Sequence, residues 1–478
     1  LNISFLNAPN LTKRLVFFVN LSLEGRTNIK KFTGIGGISR QFELFKNNKE
    51  KIMKKQLKIM LTVSMLAGFL GGCVTGAKMG APTTGMSPAE YQSLLRLDPQ
   101  NTLGANWDAV RDTPGYFLID NQGEPTVSVV DYQKGETIKK IDMGETGNHH
   151  IFVIPGARYA FSSQRYEKDL IWVIDLITHE VVDTFHLSMG GKKVIAPLHM
   201  GFAYTQPLAV VGNILDKKNG YLSFINTATR KPSHIVELGC PGARDAMFTL
   251  DDSKVFATCQ QEPKGVSIVD VKSRKEIKVI PIKGGRAGGM TPDGKYFMVG
   301  ASKAIVFIDT ATNEIAKTIK VPGGGGNFTC LPDGSKCYGG LRKDNSVAVI
   351  DMAKLELIKV IKTGPNGNRL YLNSANPRYG LFTNESGKSE QVSVIDTQDD
   401  VKIKDIITGL GPHNVAFDPT GKFALVTTKK ENVATLIDTS SANPADWDVI
   451  TTDIAAGIQN NGVRWVPSPG AIKAAMAN

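Results

Sequence analysis

His149 and His150 stand side by side, and an adjacent imidazole pair can donate protons or bind a metal or haem iron. Two more of the seven histidines, His199 and His413, fall at matching places in a repeated unit, as do Arg244, Arg286, Arg369 and Asn327. Guanidinium groups gathered in this way suit an anion, a carboxylate or an acidic partner. The bland alternative is that these polar groups only solvate a water-filled opening, with Arg244 pairing to its neighbour Asp245. No HExxH, CxxCH or CxxC spacing occurs, so no motif-borne metal, haem or dithiol site is assigned and no catalytic residue is named.

The elements that must position these residues come from an internal repeat. A V-x-V-I-D phrase ends at Asp131, Asp175, Asn226, Asp270, Asp309, Asp351, Asp396 and Asp438, with spacings of 44, 51, 44, 39, 42, 45 and 42 residues. A period in this range marks repeated β-blades or solenoid units. Each unit runs in one order: an apolar run, a turn such as TPDG (291–294), LPDG (331–334) or DPTG (418–421), and a second apolar run. The V-I-D strand follows, then a further turn such as TATNE (310–314) and a last strand. Short alternating runs bounded by Pro, Asp and Gly are hairpin signals, and four such strands make a propeller blade. No helical pattern of 10–15 residues separates the strands, which excludes a TIM barrel or doubly wound sheet. The 48 glycines are consistent with so many turns.

These units resemble the YVTN-type β-propeller repeat, matched by GPHNVAFDPTGKFALVTTKKENVATLIDT (411–439) and GGMTPDGKYFMVGASKAIVFIDTATNEIAKTIKV (288–321). The resemblance implies an all-β fold, a single β-propeller over residues 113–467 whose first strands line a central channel. Segments leading into those strands then form a rim. In order they carry His149-His150, His199 beside Met200-Gly201, Arg244-Asp245, Arg286-Ala287, Gly326-Asn327, Asn368-Arg369, His413-Asn414 and Asn461-Gly462. The first unit, GYFLIDNQGEPTVSVVDYQ, lacks an innermost strand, and NNGVRWVP (460–467) resembles an innermost strand without followers. Pairing the two yields eight four-stranded blades and leaves no open sheet edge. Seven blades is the rival, since many relatives have seven and the 51-residue interval is irregular.

HHIFVIPGARYAF (149–161) also resembles one hairpin of the haem d1 propeller of cytochrome cd1 nitrite reductases. That resemblance would carry His149, His150 and His413 to a haem-like group. Related propellers serve as cofactor-free subunits of periplasmic redox complexes such as amine dehydrogenases. The expectation is therefore a binding or scaffold module without a cofactor, which takes an envelope protein or a small anionic ligand at the channel face. A haem-like or quinone cofactor held by those histidines and by Arg244, Arg286 and Arg369 is the alternative. A lactonase-like hydrolase is a third reading, resting on Asp245 alone.

From Met53 the chain reads MKKQLKIMLTVSMLAGFLGGC, with a Lys-rich start, an apolar run at 59–70 and small residues before Cys73. This is the layout of a signal peptide over 53–72, too short for a comfortable membrane span. Leu70-Gly71-Gly72-Cys73 resembles the bacterial lipobox, which implies lipidation at Cys73, a tether over 73–112 and a place in the periplasm or at the cell surface. Residues 1–52 are expected to be translated upstream sequence, and 468–478 a C-terminal tail. Twelve of 56 basic and three of 45 acidic residues precede Cys73, so the chain from Cys73 onward carries a net +2. The overall +11 thus belongs mostly to the leader, and no global field for nucleic acid remains. The membrane is expected as a partner through the N-terminal lipid only.

Cys330 and Cys337 flank LPDGSK on facing strands, where either a disulfide or two buried thiols fits, the thiols being favoured because cross-strand bridges are often strained. Cys240 and Cys259 look out of facing register and are expected to be unpaired. GGRAGG (284–289) and GGGG (323–326) join strand to strand with no following helix N-terminus, which rejects a nucleotide-loop reading.

Overall fold

Each V-I-D segment ends in an Asp or Asn because a hairpin starts there. Asp175 Oδ1 accepts from the backbone N–H of Ile177 and Thr178, Asp309 Oδ1 from Ala311 and Thr312, and Asp396 Oδ1 from Gln398 and Asp399. Four residues after each Asp or Asn, the chain turns through a positive φ at Gly135, His179, Arg230, Arg274, Asn313, Leu355 and Asp400. This Asx-led turn with a left-handed residue is a hairpin connection suited to the strand twist. The eighth unit replaces it with a longer loop holding the 3-10 turn Pro444–Asp446.

The computed structural model describes residues 112–155, 158–166, 168–215 and 220–477, and the backbone of Phe17–Leu23 and Arg26–Phe32. It is an all-β propeller of eight four-stranded antiparallel blades. In chain order, blade 1 spans 115–142 and is completed by Asn460–Pro467. Blades 2 to 8 span 148–186, 197–238, 243–281, 288–320, 328–362, 367–407 and 412–455. Within a blade the V-I-D strand is third, buried on both faces, as in Leu170–Asp175, while the fourth alternates exposed and half-buried residues, as in Glu180–His186. The inner strand of each blade touches that of the next all the way round.

Closure uses both chain ends of the propeller. Asn460–Pro467 pairs antiparallel with Gly115–Asn121, with Gly115 opposite Pro467 and Ile119 opposite Val463. Trp465 is fully buried in this joint, and a Cβ on Gly115 would meet its ring at 2.4 Å, so only glycine fits there. The segment expected as a tail carries a helix, Pro469–Ala477, whose Ile472 packs into the cluster around Leu118 and Trp172.

The strands Phe17–Leu23 and Arg26–Phe32 pair as an antiparallel hairpin. The signal segment, Cys73 and residues 74–111 lie outside the described residues. Among the described residues no helix is long and apolar enough to cross a membrane.

Two disulfides are present among the described residues. Cys330 lies directly opposite Cys337 and is bonded to it, although the sequence favours buried thiols there. Cys240 and Cys259, expected to be unpaired, are also joined, with Cα atoms 5.7 Å apart. Strand register misleads for this pair, because Cys240 lies outside the strand Ala243–Phe248. The turn through Gly242, at φ 70°, folds Cys240 back across the strand end where Cys259 sits opposite Ala243.

Candidate functional site

The inner strands do not run regularly to their ends. In six blades the ladder between the first two strands slips at the end from which the cavity opens. The slips fall between His149 and Ile151, Pro197 and Met200, Ala243 and Ala246, Gly367 and Arg369, Pro412 and Val415, and opposite Ile119 to Asn121. A bulge adds a residue and re-aims side chains that would otherwise alternate between faces. His150 sits in such a bulge at φ 61°, which lets His149 and His150 face one opening. In blades 5 and 6 the inner strand shrinks to Gly288–Met290 and Phe328–Cys330, and Arg286 and Asn327 occupy the segment ahead of it.

The rim residues named from sequence come together: His149, His150, His199, Arg244, Arg286, Asn327, Arg369 and His413 all line one cavity. Its unfilled space is about 1240 Å³, the open mouth included. Four charged residues of the lining escaped the sequence reading, namely Arg165, Arg342, Glu385 and Lys429. Each is the first residue after the second strand of its blade, following Gln164, Leu341, Asn384 and Thr428. Gln260 follows Cys259 in the same way. Aligning that position across the units, beside the inner-strand rim, would have exposed this second ring.

Among the described residues the cavity wall carries six cationic side chains, Arg165, Arg244, Arg286, Arg342, Arg369 and Lys429, against two carboxylates, Asp245 and Glu385. Burial alone would raise Asp245, but Arg244 and His199, both hydrogen-bonded to its carboxylate, hold it well below the usual range. Its Oδ2 also accepts from the backbone N–H of Gly288 at 2.9 Å. Glu385 is likewise held low against its burial, with His413 Nε2 at 3.0 Å, Arg342 Nη1 at 2.7 Å and Lys429 Nζ at 3.7 Å. Arg286 and Arg369 have no carboxylate partner among the described residues. They donate to the carbonyls of Gly325, at 2.9 Å, and Phe328, at 3.4 Å, respectively. Burial, helped by Arg244 and Arg342, pulls Arg286 down to about 10. Burial also lowers Arg165 and Lys429.

The imidazoles are held neutral by the same forces. Burial and neighbouring positive groups push His149 and His150 well below the ordinary value. His199 falls to about 4, burial outweighing its bond to Asp245, and His413 is lowered as well. Both ring nitrogens of His413 are engaged, Nδ1 against the Asn461 carbonyl at 3.1 Å and Nε2 against Glu385. His149 Nδ1 meets the amide of Asn461, and His150 Nδ1 lies 3.4 Å from the amide of Asn414.

No protein-family model matches the chain, and no curated protein matches it in sequence. Among solved structures it is similar to the dihydro-heme d1 dehydrogenase NirN in complex with DHE, at 14% identity and a TM-score of 0.57, over 78% of this chain and 77% of that one. It is also similar to AztD from Citrobacter koseri, at 12% identity and a TM-score of 0.54, over 74% of this chain and 98% of that one. The apo form of AztD aligns over the same shares at a TM-score of 0.53. These likenesses show a β-propeller fold.

Proposed function

We propose that this chain is an exported, lipid-anchored propeller that captures a multiply anionic small molecule at the mouth of its channel, acting as a binding module and not as a catalyst. The carrying observation is the charge imbalance of the cavity: six cations face two carboxylates, and Arg286 and Arg369 lack acidic partners among the described residues. A guanidinium pulled below its ordinary pKa by burial, and further by neighbouring cations, is stabilised by an incoming anion. A charge-assisted site of this kind needs no reacting group.

A haem-like tetrapyrrole carboxylate is the second reading, favoured by imidazoles and guanidiniums lining one cavity; the NirN neighbour is a dihydro-heme d1 dehydrogenase. The donor set fits such a group: His149 or His150 would ligate iron, and Arg286 and Arg369 would hold its carboxylates. Bound there, it would supply redox chemistry. His413 is a poor ligand for it, both nitrogens being taken. The lactonase reading gains no support, since Asp245 and Glu385 are each neutralised by ion pairs.

Thermal unfolding of the full chain in a panel of polycarboxylates of rising charge, and with a carboxylated porphyrin, tests the proposal. Midpoints rising with ligand charge support it, since only native-state binding stabilises. A flat response across the panel contradicts it, and a response to the porphyrin alone selects the second reading.

A further inference from the structure

Anion capture explains the guanidiniums but not the crowding of three imidazoles on one side of the cavity. His149 and His150 come from the bulged inner strand of blade 2, and His199 from that of blade 3. Their ring centroids lie 4.1 Å apart for His149 and His150, 5.1 Å for His150 and His199, and 6.0 Å for His149 and His199. One nitrogen from each ring lies within 4.8 Å of the other two.

The surroundings of the three rings treat their two nitrogens differently. Nδ1 of His199 is bonded to Asp245, Nδ1 of His149 to Asn461, and Nδ1 of His150 faces Asn414. Asn461 in turn donates to Gln122 Oε1 at 2.6 Å, and Asn414 is held by the Tyr371 hydroxyl. Each ring is thus oriented through Nδ1 and has Nε2 left to offer. The His199–Asp245 bond is the arrangement characteristic of a metal-binding imidazole, whose far nitrogen donates to a carboxylate. Nδ1 of His149 and of His150 faces an amide nitrogen, so ligation through their Nε2 atoms requires Asn461 and Asn414 to turn their amide oxygens to the rings.

We propose that His149, His150 and His199 together hold one divalent transition metal ion through their Nε2 atoms, with a fourth coordination position open to the cavity. Three imidazoles select zinc, cobalt, nickel or copper over calcium and magnesium, which require oxygen ligands. Bonds of about 2.0–2.1 Å in a tetrahedral site set the nitrogens about 3.3 Å apart, so the rings must draw together and turn their Nε2 atoms to a common point on binding. The fourth position opens on a cavity lined by Arg244 and Arg369, where a second positive charge is repelled unless an anion completes the shell. Metal and anion therefore bind with positive coupling, each raising the other's affinity by the same factor. The coupling rests on the anion site proposed above, whereas the three-imidazole ligation does not.

The test uses the full chain, free of affinity tags, stripped with a chelator and titrated with Co2+. One equivalent is expected to bind with the intense visible absorption of four-coordinate cobalt, and X-ray absorption is expected to count three imidazoles. Added azide, a small coordinating anion, is expected to shift the visible bands by entering the fourth position. H149A, H150A and H199A should each weaken binding at least about tenfold, and D245N about 10–100-fold. H186N, on an exposed ring, should leave it unchanged. Failure of the wild-type protein to bind one equivalent, fewer than three imidazoles in its absorption spectrum, or undiminished binding by a folded H149A/H199A variant overturns the proposal. The imidazoles are counted on the wild-type protein, so that readout stands even where a variant misfolds. Cobalt binding with three imidazoles but no azide response overturns the open position alone. Anion capture is measured separately in chelator, so its failure is distinguishable from failure of the metal site.

Discussion

Replacing Arg286 and Arg369 together by alanine separates a ligand-binding role from a structural one. Arg286 sits at about 10 in place of 12.5, which corresponds to at most about 3 kcal/mol of unfavourable burial and repulsion in the folded state. Part of this is relieved when the charge is removed. Against that stand the lost bonds to the carbonyls of Gly325 and Phe328, the second of them long, worth about 3 kcal/mol together. The two contributions offset, so the ligand-free double variant should unfold within about 1 kcal/mol of wild type. Capture behaves differently, because two charge-assisted hydrogen bonds to an anion are worth about 3–6 kcal/mol together, on the order of 10²–10⁴ in affinity. Denaturant unfolding without anion and calorimetric titration with mellitate, both in chelator, measure the two quantities. A double variant that binds mellitate within about threefold of wild type, or loses more than about 3 kcal/mol of stability without ligand, would rule out a ligand-binding role for this pair.

Glu385 behaves oppositely, since it neutralises Arg342 and Lys429. E385A should cost about 3 kcal/mol by leaving those cations buried without a partner, measurable by denaturant unfolding. The native state refuses protons at His149, His150 and His199 that the unfolded chain accepts. Stability is therefore complete above about pH 6.5 and falls as the pH drops toward 4, which thermal melts across that window will show. G115A should loosen blade closure by driving a methyl into Trp465, lowering the melting midpoint and raising tryptophan accessibility to quenchers. Peptide mapping without reductant should recover Cys240 linked to Cys259 and Cys330 linked to Cys337.

Blade number and closure were legible because they rest on local chemistry repeated many times. The Asp ending each V-I-D strand marks a hairpin wherever it occurs, and the unpaired first and last strands complement one another. The inner rim was legible for the same reason, since His149, Arg244, Arg286 and His413 occupy equivalent places. Arg165, Arg342, Glu385 and Lys429 were not, because they follow the second strand and reach the cavity only through the radial stacking of blades. The Cys240 to Cys259 bridge was hidden by a turn, which strand register does not record. The convergence of His199 with His149 and His150 depends on bulges in two neighbouring blades, and nothing in the residue spacing announces a bulge.

Anion capture at the channel mouth is open to direct observation in a crystal structure of the full chain grown with mellitate. The anion is expected inside the cavity, with carboxylates on the guanidiniums of Arg286 and Arg369 and within reach of Arg244. Mellitate bound only on the outer surface, or an empty cavity at saturating ligand, would contradict it.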